Sequence, residues 1–75
     1  MTEKQRRELE KYFNFYSKMS KKHFLKMQTF ESENYHARMW ALRDVAEIFG
    51  YNFEYKEELE ENGMTYDVFN LVKSK

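Results

Sequence analysis

The sequence predicts an all-α fold, and three observations lead to that class. The 75 residues contain no proline, and the only two glycines, Gly50 and Gly63, fall late in the chain. Apolar residues recur at helical spacing over Leu9–Phe30 and again over Tyr35–Phe49. We therefore expect one domain over residues 1–75, a small helical bundle whose long amphipathic N-terminal helix forms a helical hairpin, followed by short C-terminal helices.

The first helix is expected to begin at Thr2. Thr2 and Gln5 have the spacing of a capping box, in which each side chain accepts a hydrogen bond from a backbone amide of the first turn. At 100° per residue, an apolar arc opposes a lysine-rich face over about 27 residues, or ~40 Å. The apolar arc consists of Leu9, Tyr12, Phe13, Tyr16, Met19, His23, Met27 and Phe30.

A second helix is expected from Ser32 to Gly50. Ser32 is a suitable N-cap, and Gly50 is a suitable C-terminal stop. The helix carries two apolar stripes and is therefore expected at the middle of the core. Since no residue between Thr2 and Gly50 forces a break, the alternative is one continuous long helix of roughly 70 Å in a dimer.

The segment after Gly50 is expected to be mainly helical. Tyr51, Phe53 and Tyr55 alternate with polar residues, but this strand-like run has no second candidate strand, so we expect an extended connector. A short acidic helix over residues 56–61 and a last helix over residues 66–73 are then expected on either side of the Asn-Gly pair at 62–63.

Composition restricts the classes of function. Without cysteine there is no disulfide framework and no thiolate, which favours a reducing, cytoplasmic location. Neither a leader peptide nor a membrane anchor is expected. The net charge is zero, yet residues 1–26 carry eight basic and three acidic side chains whereas residues 50–75 carry three and six. The two ends therefore either pair with each other or present oppositely charged surfaces to partners.

Catalysis is not expected. The two glycines cannot form a phosphate-binding loop, and two isolated histidines give no serine a base at a recognisable spacing. Glu33 and His36 have the spacing of a helical metal-ligand pair, but no matching second pair is present. We therefore expect no enzyme, no cofactor and no metal.

Trp40 is the main candidate for partner binding. It lies on a helix face with His36 and Arg43, away from both apolar stripes, and exposed tryptophan with arginine is frequent at the centre of protein interfaces. The acidic run supplies a second candidate contact. The partner-binding residues expected from this acidic run are Glu57, Glu58 and Glu61.

The lysine-rich face of the first helix supports an alternative function. Its lysines have the charge to neutralise phosphates, and an aromatic side chain lies near them to stack on a base. The nucleic-acid-binding residues expected from this face are Lys11, Phe15, Lys18, Lys22 and Lys26. A structural or regulatory homodimer is a further alternative.

The segment Tyr35-His36-Ala37-Arg38-Met39-Trp40-Ala41-Leu42-Arg43-Asp44-Val45-Ala46-Glu47-Ile48-Phe49-Gly50 resembles part of small accessory proteins of phages and prophages of Gram-positive bacteria. It covers about a fifth of the chain. This resemblance implies a protein that acts in the host cytoplasm and binds a host protein, as an anti-CRISPR-like inhibitor of a defence or nucleic-acid-handling protein would. It assigns no functional residues.

Overall fold

A computed structural model describes residues 1–74 and shows an α+β arrangement. A helical hairpin, α1 (Glu3–Leu25) and α2 (Thr29–Ile48), precedes an antiparallel β-hairpin, β1 (Tyr51–Glu61) and β2 (Met64–Lys73). Within residues 1–74, neither helix combines the length and the apolar character needed to cross a membrane.

The two helices are joined by a tight turn that begins earlier than the sequence predicts. The capping box of Thr2 and Gln5 is present, and Gly50, with φ of 79°, follows α2 as expected. The chain reverses at Met27, which has φ of 60°, so the alternative of one continuous long helix is wrong. Ser32 does not cap α2 but lies buried inside it, donating a hydrogen bond to the carbonyl oxygen of Ser20 at 2.8 Å.

The prediction of an all-α helical bundle is wrong, because both segments expected to be C-terminal helices are strands. Asn62 and Gly63 have φ of 52° and 80°, and they form the two-residue turn of a β-hairpin. Two consecutive positive φ values match the right-handed twist of the flanking strands, and an Asn-Gly pair adopts them at low cost. The second strand that the sequence analysis did not find is Met64–Lys73.

A β-bulge divides β1 into two segments. Tyr55 pairs with Phe69, whereas the next paired residue of β1 is Glu57, opposite Val68. Lys56 is therefore the extra residue, and such an insertion bends the strand and increases its twist. Every residue from Glu54 to Glu61, on both sides of this bulge, is exposed.

The apolar core lies between α1 and the β-hairpin. Phe13 is buried, its ring stacks on Phe53 with 3.7 Å between centroids, and it meets Phe69 edge to face at 5.3 Å. Leu71 is buried as well. Of the apolar residues of α2 only Ala46 is buried, so the expectation that α2 occupies the middle of the core is wrong.

Polar side chains of α1 bond to the outer edge of β2. The Asn14 side chain accepts from the Phe69 N–H at 2.8 Å and donates to the Phe69 carbonyl at 2.9 Å. One turn earlier, Glu10 accepts from the Leu71 N–H at 2.9 Å and Arg6 donates to the Leu71 carbonyl at 3.3 Å. These contacts replace the strand that β2 lacks on that side.

Candidate functional site: a groove beside Trp40

One face of α2 brings His36, Trp40 and Arg43 together. The guanidinium carbon of Arg43 lies 3.7 Å from the Trp40 ring centroid, and the His36 ring lies 5.7 Å from it. The spacing of four and then three residues places successive side chains on one helical face. Trp40 remains 46% exposed, so the three side chains form a surface cluster and not a core contact.

The Arg43 guanidinium is held mainly by the ring of Trp40. Its Nε atom is enclosed and has no hydrogen-bond partner within residues 1–74, and the nearest carboxylate oxygen, from Glu47, is 3.8 Å away. A guanidinium over an indole face is stabilised by the ring quadrupole while its outer N–H groups keep their capacity to donate. The pair thus presents a flat apolar surface edged by a cation.

A groove of about 790 Å³ opens next to this cluster, between α1, α2 and β2. Its apolar walls include Phe24 from α1, Met39 and Trp40 from α2, and Phe69 from β2. Charged groups from all three elements lie on the same groove. These are Lys21 of α1, Glu33 of α2 and Asp67 of β2.

Close contact between the helices forms one wall of the groove. Ser20 and Ser32 exchange hydrogen bonds through their hydroxyls and carbonyls, at 2.8 and 3.1 Å. Two serines at a crossing leave little side-chain bulk between the helices. A smaller cavity of about 140 Å³ adjoins the groove, since Met39 and Trp40 line both spaces, and it reaches Phe13 of the core.

None of the three acidic residues predicted to bind a partner lines the groove. Glu61 forms an ion pair with Lys18 of α1, and Glu57 lies 3.9 Å from Lys56. Glu58 is opposite Asp67, which lines the groove, but Glu58 itself does not line it. The cluster at Trp40 and the acidic strand are therefore two separate surfaces.

The predicted nucleic-acid residues are brought together only in part. Phe15, Lys18, Lys22 and Lys26 line a cavity of about 360 Å³, which Glu61 also lines. The fifth residue, Lys11, lies outside it, with its ammonium 6.0 Å from the Tyr12 ring. The hydrogen bond from Lys18 to Glu61 raises the pKa of Lys18. The ammonium of Lys18 is therefore already part of an ion pair within the chain.

Sequence reasoning found the cluster at Trp40 but missed the groove beside it. The sequence indicates no site role for Phe24 or Met39, and Phe69 belongs to a strand whose spacing also fits the predicted helix. The available signal was the small residues Ser17 and Ser20 on α1, because small side chains allow a close approach of another element. No group of three or more potential metal-ligating side chains occurs in the part of the chain that the structure describes.

Comparisons with family models, with curated proteins and with solved structures find no match to this chain. The expected phage origin and the inhibitor role therefore gain no support from relatives. The fold and the geometry of the groove remain the basis for inferring a function.

Proposed function

We propose that this chain is a non-catalytic protein-binding module, and that the groove beside Trp40 receives an apolar segment of a partner protein. The observation that carries the proposal is the half-exposed Trp40 ring, which Arg43 stacks on at 3.7 Å and which lines the groove. Tryptophan and arginine are, with tyrosine, enriched among the residues that dominate binding energy at protein interfaces.

The composition of the groove supports a protein partner. Phe24, Met39 and Phe69 supply apolar and aromatic surface, and methionine adapts its shape to different occupants. Lys21 and Asp67 lie on the same groove, and an apolar centre with charged groups around it is typical of transient protein interfaces. An occupant that inserts one or two apolar side chains would cover the Trp40 ring and leave the Arg43 donors for its backbone carbonyls.

Nucleic-acid binding through α1 is less well supported. Lys18, at the centre of the basic face, is paired with Glu61, and the cation also lies 5.3 Å from the Tyr66 ring. A phosphate approaching Lys18 would meet the Glu61 carboxylate as well. The attraction between Lys18 and a phosphate is therefore weakened by the neighbouring carboxylate of Glu61.

The substitution Trp40→Ala tests the proposal. Truncation of an interface tryptophan is expected to cost more than ~2 kcal/mol, a loss of roughly 30-fold or more in affinity. Partners captured with the unmodified chain would be identified and their dissociation constants measured by calorimetry for each variant. Because about half of the indole is covered, the variant should keep its helicity but unfold at a lower midpoint, so binding is compared under conditions in which both chains are folded.

Phe15→Ala is the matched control. Phe15 is 49% exposed, close to the exposure of Trp40, but it lies beside the lysines of α1 and outside the groove. Equal binding by the Trp40 variant and the parent chain would refute the proposal. Loss of binding in the Phe15 variant alone would assign the function to the basic face instead.

Trp40 also reports directly on occupancy, because it is the only tryptophan of the chain. Binding in the groove should shift its fluorescence to shorter wavelength and reduce its quenching by acrylamide, as the indole leaves water. A bound partner that leaves both signals unchanged would show that the contact lies elsewhere.

A further inference from the structure

The outer edge of β1 has no strand or helix bonded to it in residues 1–74, in contrast to the outer edge of β2. The sheet contains only these two strands, in the order β1-β2. The segment from Glu57 to Glu61 is exposed at every position and follows the bulge at Lys56. A strand edge of this kind presents a row of unpaired N–H and C=O groups.

The register identifies which backbone groups point outward. The Asp67 carbonyl accepts from Ser17 of α1 at 3.5 Å, so the backbone groups of Asp67 point away from β1. In an antiparallel pair, the backbone N–H and C=O groups of two directly opposite residues either both point toward the partner strand or both point away from it. Because Glu58 is opposite Asp67, the backbone groups of Glu58 point away from β2. Alternation along the strand gives Glu60 the same orientation. Two amides and two carbonyls are thus available to an added strand.

The charges of this segment select its occupant. Glu58 and Glu60 have no ion-pair partner within the described residues, and Glu57 and Glu61 lie on the other face of the strand. On that face the two glutamates flank Leu59, which is 40% exposed. A second copy of this chain paired on the same edge would place glutamates opposite glutamates, which is destabilising.

We propose that Glu57–Glu61 binds an extended, lysine- or arginine-rich segment of another protein by strand addition. Backbone hydrogen bonds to Glu58 and Glu60 supply the pairing, and alternate basic side chains meet the glutamates on both faces. An apolar residue at the centre of the added segment packs on Leu59. The glutamates thus disfavour self-association and favour a basic partner.

This inference concerns a surface separate from the groove beside Trp40 and does not rest on the function proposed for it. The two are distinguished by variants. Trp40→Ala should leave binding at β1 unchanged, whereas substitutions at Glu58 should leave binding in the groove unchanged.

The probe is the synthetic peptide Thr-Lys-Lys-Val-Lys-Lys-Thr, blocked at both ends and titrated into the full chain. The valine of the peptide and the lysines two residues before and after it lie on one face of an extended strand. They are spaced to meet Leu59, Glu57 and Glu61. Binding is followed by amide chemical shifts and by amide hydrogen exchange. The Glu58 and Glu60 amides should shift and exchange at least about tenfold more slowly with peptide, because they become hydrogen-bonded. The peptide Thr-Glu-Glu-Val-Glu-Glu-Thr should produce neither change.

Three variants separate backbone pairing from charge. Glu58→Pro removes an outward N–H that is not part of the β1–β2 ladder, and proline is tolerated at such an edge position. Glu58→Thr removes the same charge but keeps the N–H, so it should bind the basic peptide more tightly than Glu58→Pro. Glu54→Thr is the matched control, since Glu54 lies on the same strand before the bulge and its register partner is Asn70.

The expected order of affinity is parent chain and Glu54→Thr, then Glu58→Thr, then Glu58→Pro, with at least about a tenfold loss in the last. Circular dichroism and the unfolding midpoint verify that the proline variant is folded, and Glu58→Thr alone still tests the charge if it is not. Absence of shifts at Glu58 and Glu60 with the basic peptide would overturn the proposal. So would equal binding of the acidic peptide, or sedimentation showing a dimer that protects the same two amides.

Discussion

The two outer edges of the β-hairpin differ in the hydrogen bonds that they form with the rest of the chain. On β2, side chains of α1 bond to both backbone groups of Phe69 and of Leu71. On β1, no side chain of the described residues bonds to the backbone of Glu58 or Glu60. The edge of β2 is covered by α1, whereas the edge of β1 is open to solvent and carries glutamates.

The closed edge shows that a helix can replace a strand when its polar residues have the right spacing. Arg6, Glu10 and Asn14 are four residues apart, so they lie on one face of α1 along the edge of β2. Asn14 presents one acceptor and one donor, the same pair that a neighbouring backbone would offer. Sheet edges are commonly protected by such cover or by charge, and this hairpin uses both devices.

Asn14→Leu should have the largest effect on this contrast. Leucine has nearly the shape of asparagine but leaves the Phe69 N–H and carbonyl without partners in a part-buried position. The expected loss of unfolding free energy is about 2–3 kcal/mol, measured by urea denaturation, because an unsatisfied buried backbone group costs about 1–3 kcal/mol. The variant should also self-associate more readily, since its β2 edge is open.

Asn52→Ala is the control for that prediction. Asn52 is an exposed residue of β1 whose side chain, within residues 1–74, accepts one hydrogen bond, from Ser74, and its loss should change stability by less than about 0.5 kcal/mol. If both asparagine variants lose equal stability, the bonds from α1 to β2 are not what holds the helix to the sheet.

The closed edge could not be predicted from the sequence because the strand itself was missed. The helix signals were local, and the structure contains those at Thr2 and Gln5 and at Gly50. The sheet depended on pairing between Tyr51–Glu61 and Met64–Lys73, and the second segment also has spacing compatible with a helix. The Asn-Gly pair between them favours a hairpin turn, but the same pair also fits the end of a helix, which is what the sequence analysis predicts.

Gly63→Ala is expected to have an intermediate effect. Gly63 has φ of 80°, and a Cβ added there meets no atom within 4 Å, so the cost is backbone strain and not a clash. An L-residue in the left-handed region costs about 1–2 kcal/mol, which should appear in the urea midpoint. Because the turn sets the register of both strands, protection of the amides that pair β1 with β2 should decrease in both strands together.

Asn62→Gly serves as the matched substitution in the same turn. Asn62 has φ of 52°, which glycine adopts without strain, so a change of less than about 0.5 kcal/mol is expected. A large loss in this variant with no loss in Gly63→Ala would contradict the assignment of the turn.

The site at Trp40 was predictable only as a helix face. The spacing of His36, Trp40 and Arg43 placed them together, and that much follows from helical geometry. The groove also needs Phe24 from the end of α1 and Phe69 from β2, residues distant in sequence that only the packing of three elements brings together. The sequence predicts a helix over residues 56–61, which is wrong, so it does not predict that these glutamates lie along an open strand edge.

Lys18→Met should produce the smallest effect, and one that depends on pH. The ion pair from Lys18 to Glu61 connects α1 to the end of the open-edged strand, and its hydrogen bond raises the pKa of Lys18 above the usual value of 10.5. A raised pKa in the folded state means that the contribution to stability is complete below pH 10.5 and is lost as the pH rises through the folded-state pKa. The difference in urea midpoint between the parent chain and Lys18→Met should therefore be constant from neutral pH to about pH 10 and should shrink as the pH rises above 10.5.

Lys22→Met controls for effects of high pH that do not involve the ion pair. Lys22 lies one turn further along α1 and forms no ion pair within residues 1–74, so its variant should follow the parent chain at every pH. If Lys18→Met and Lys22→Met show the same pH dependence, the contact at Glu61 does not stabilise the chain. The end of β1 near Glu61 would then gain no stability from its contact with α1. The edges of β1 and β2 would differ even more in how strongly α1 stabilises them.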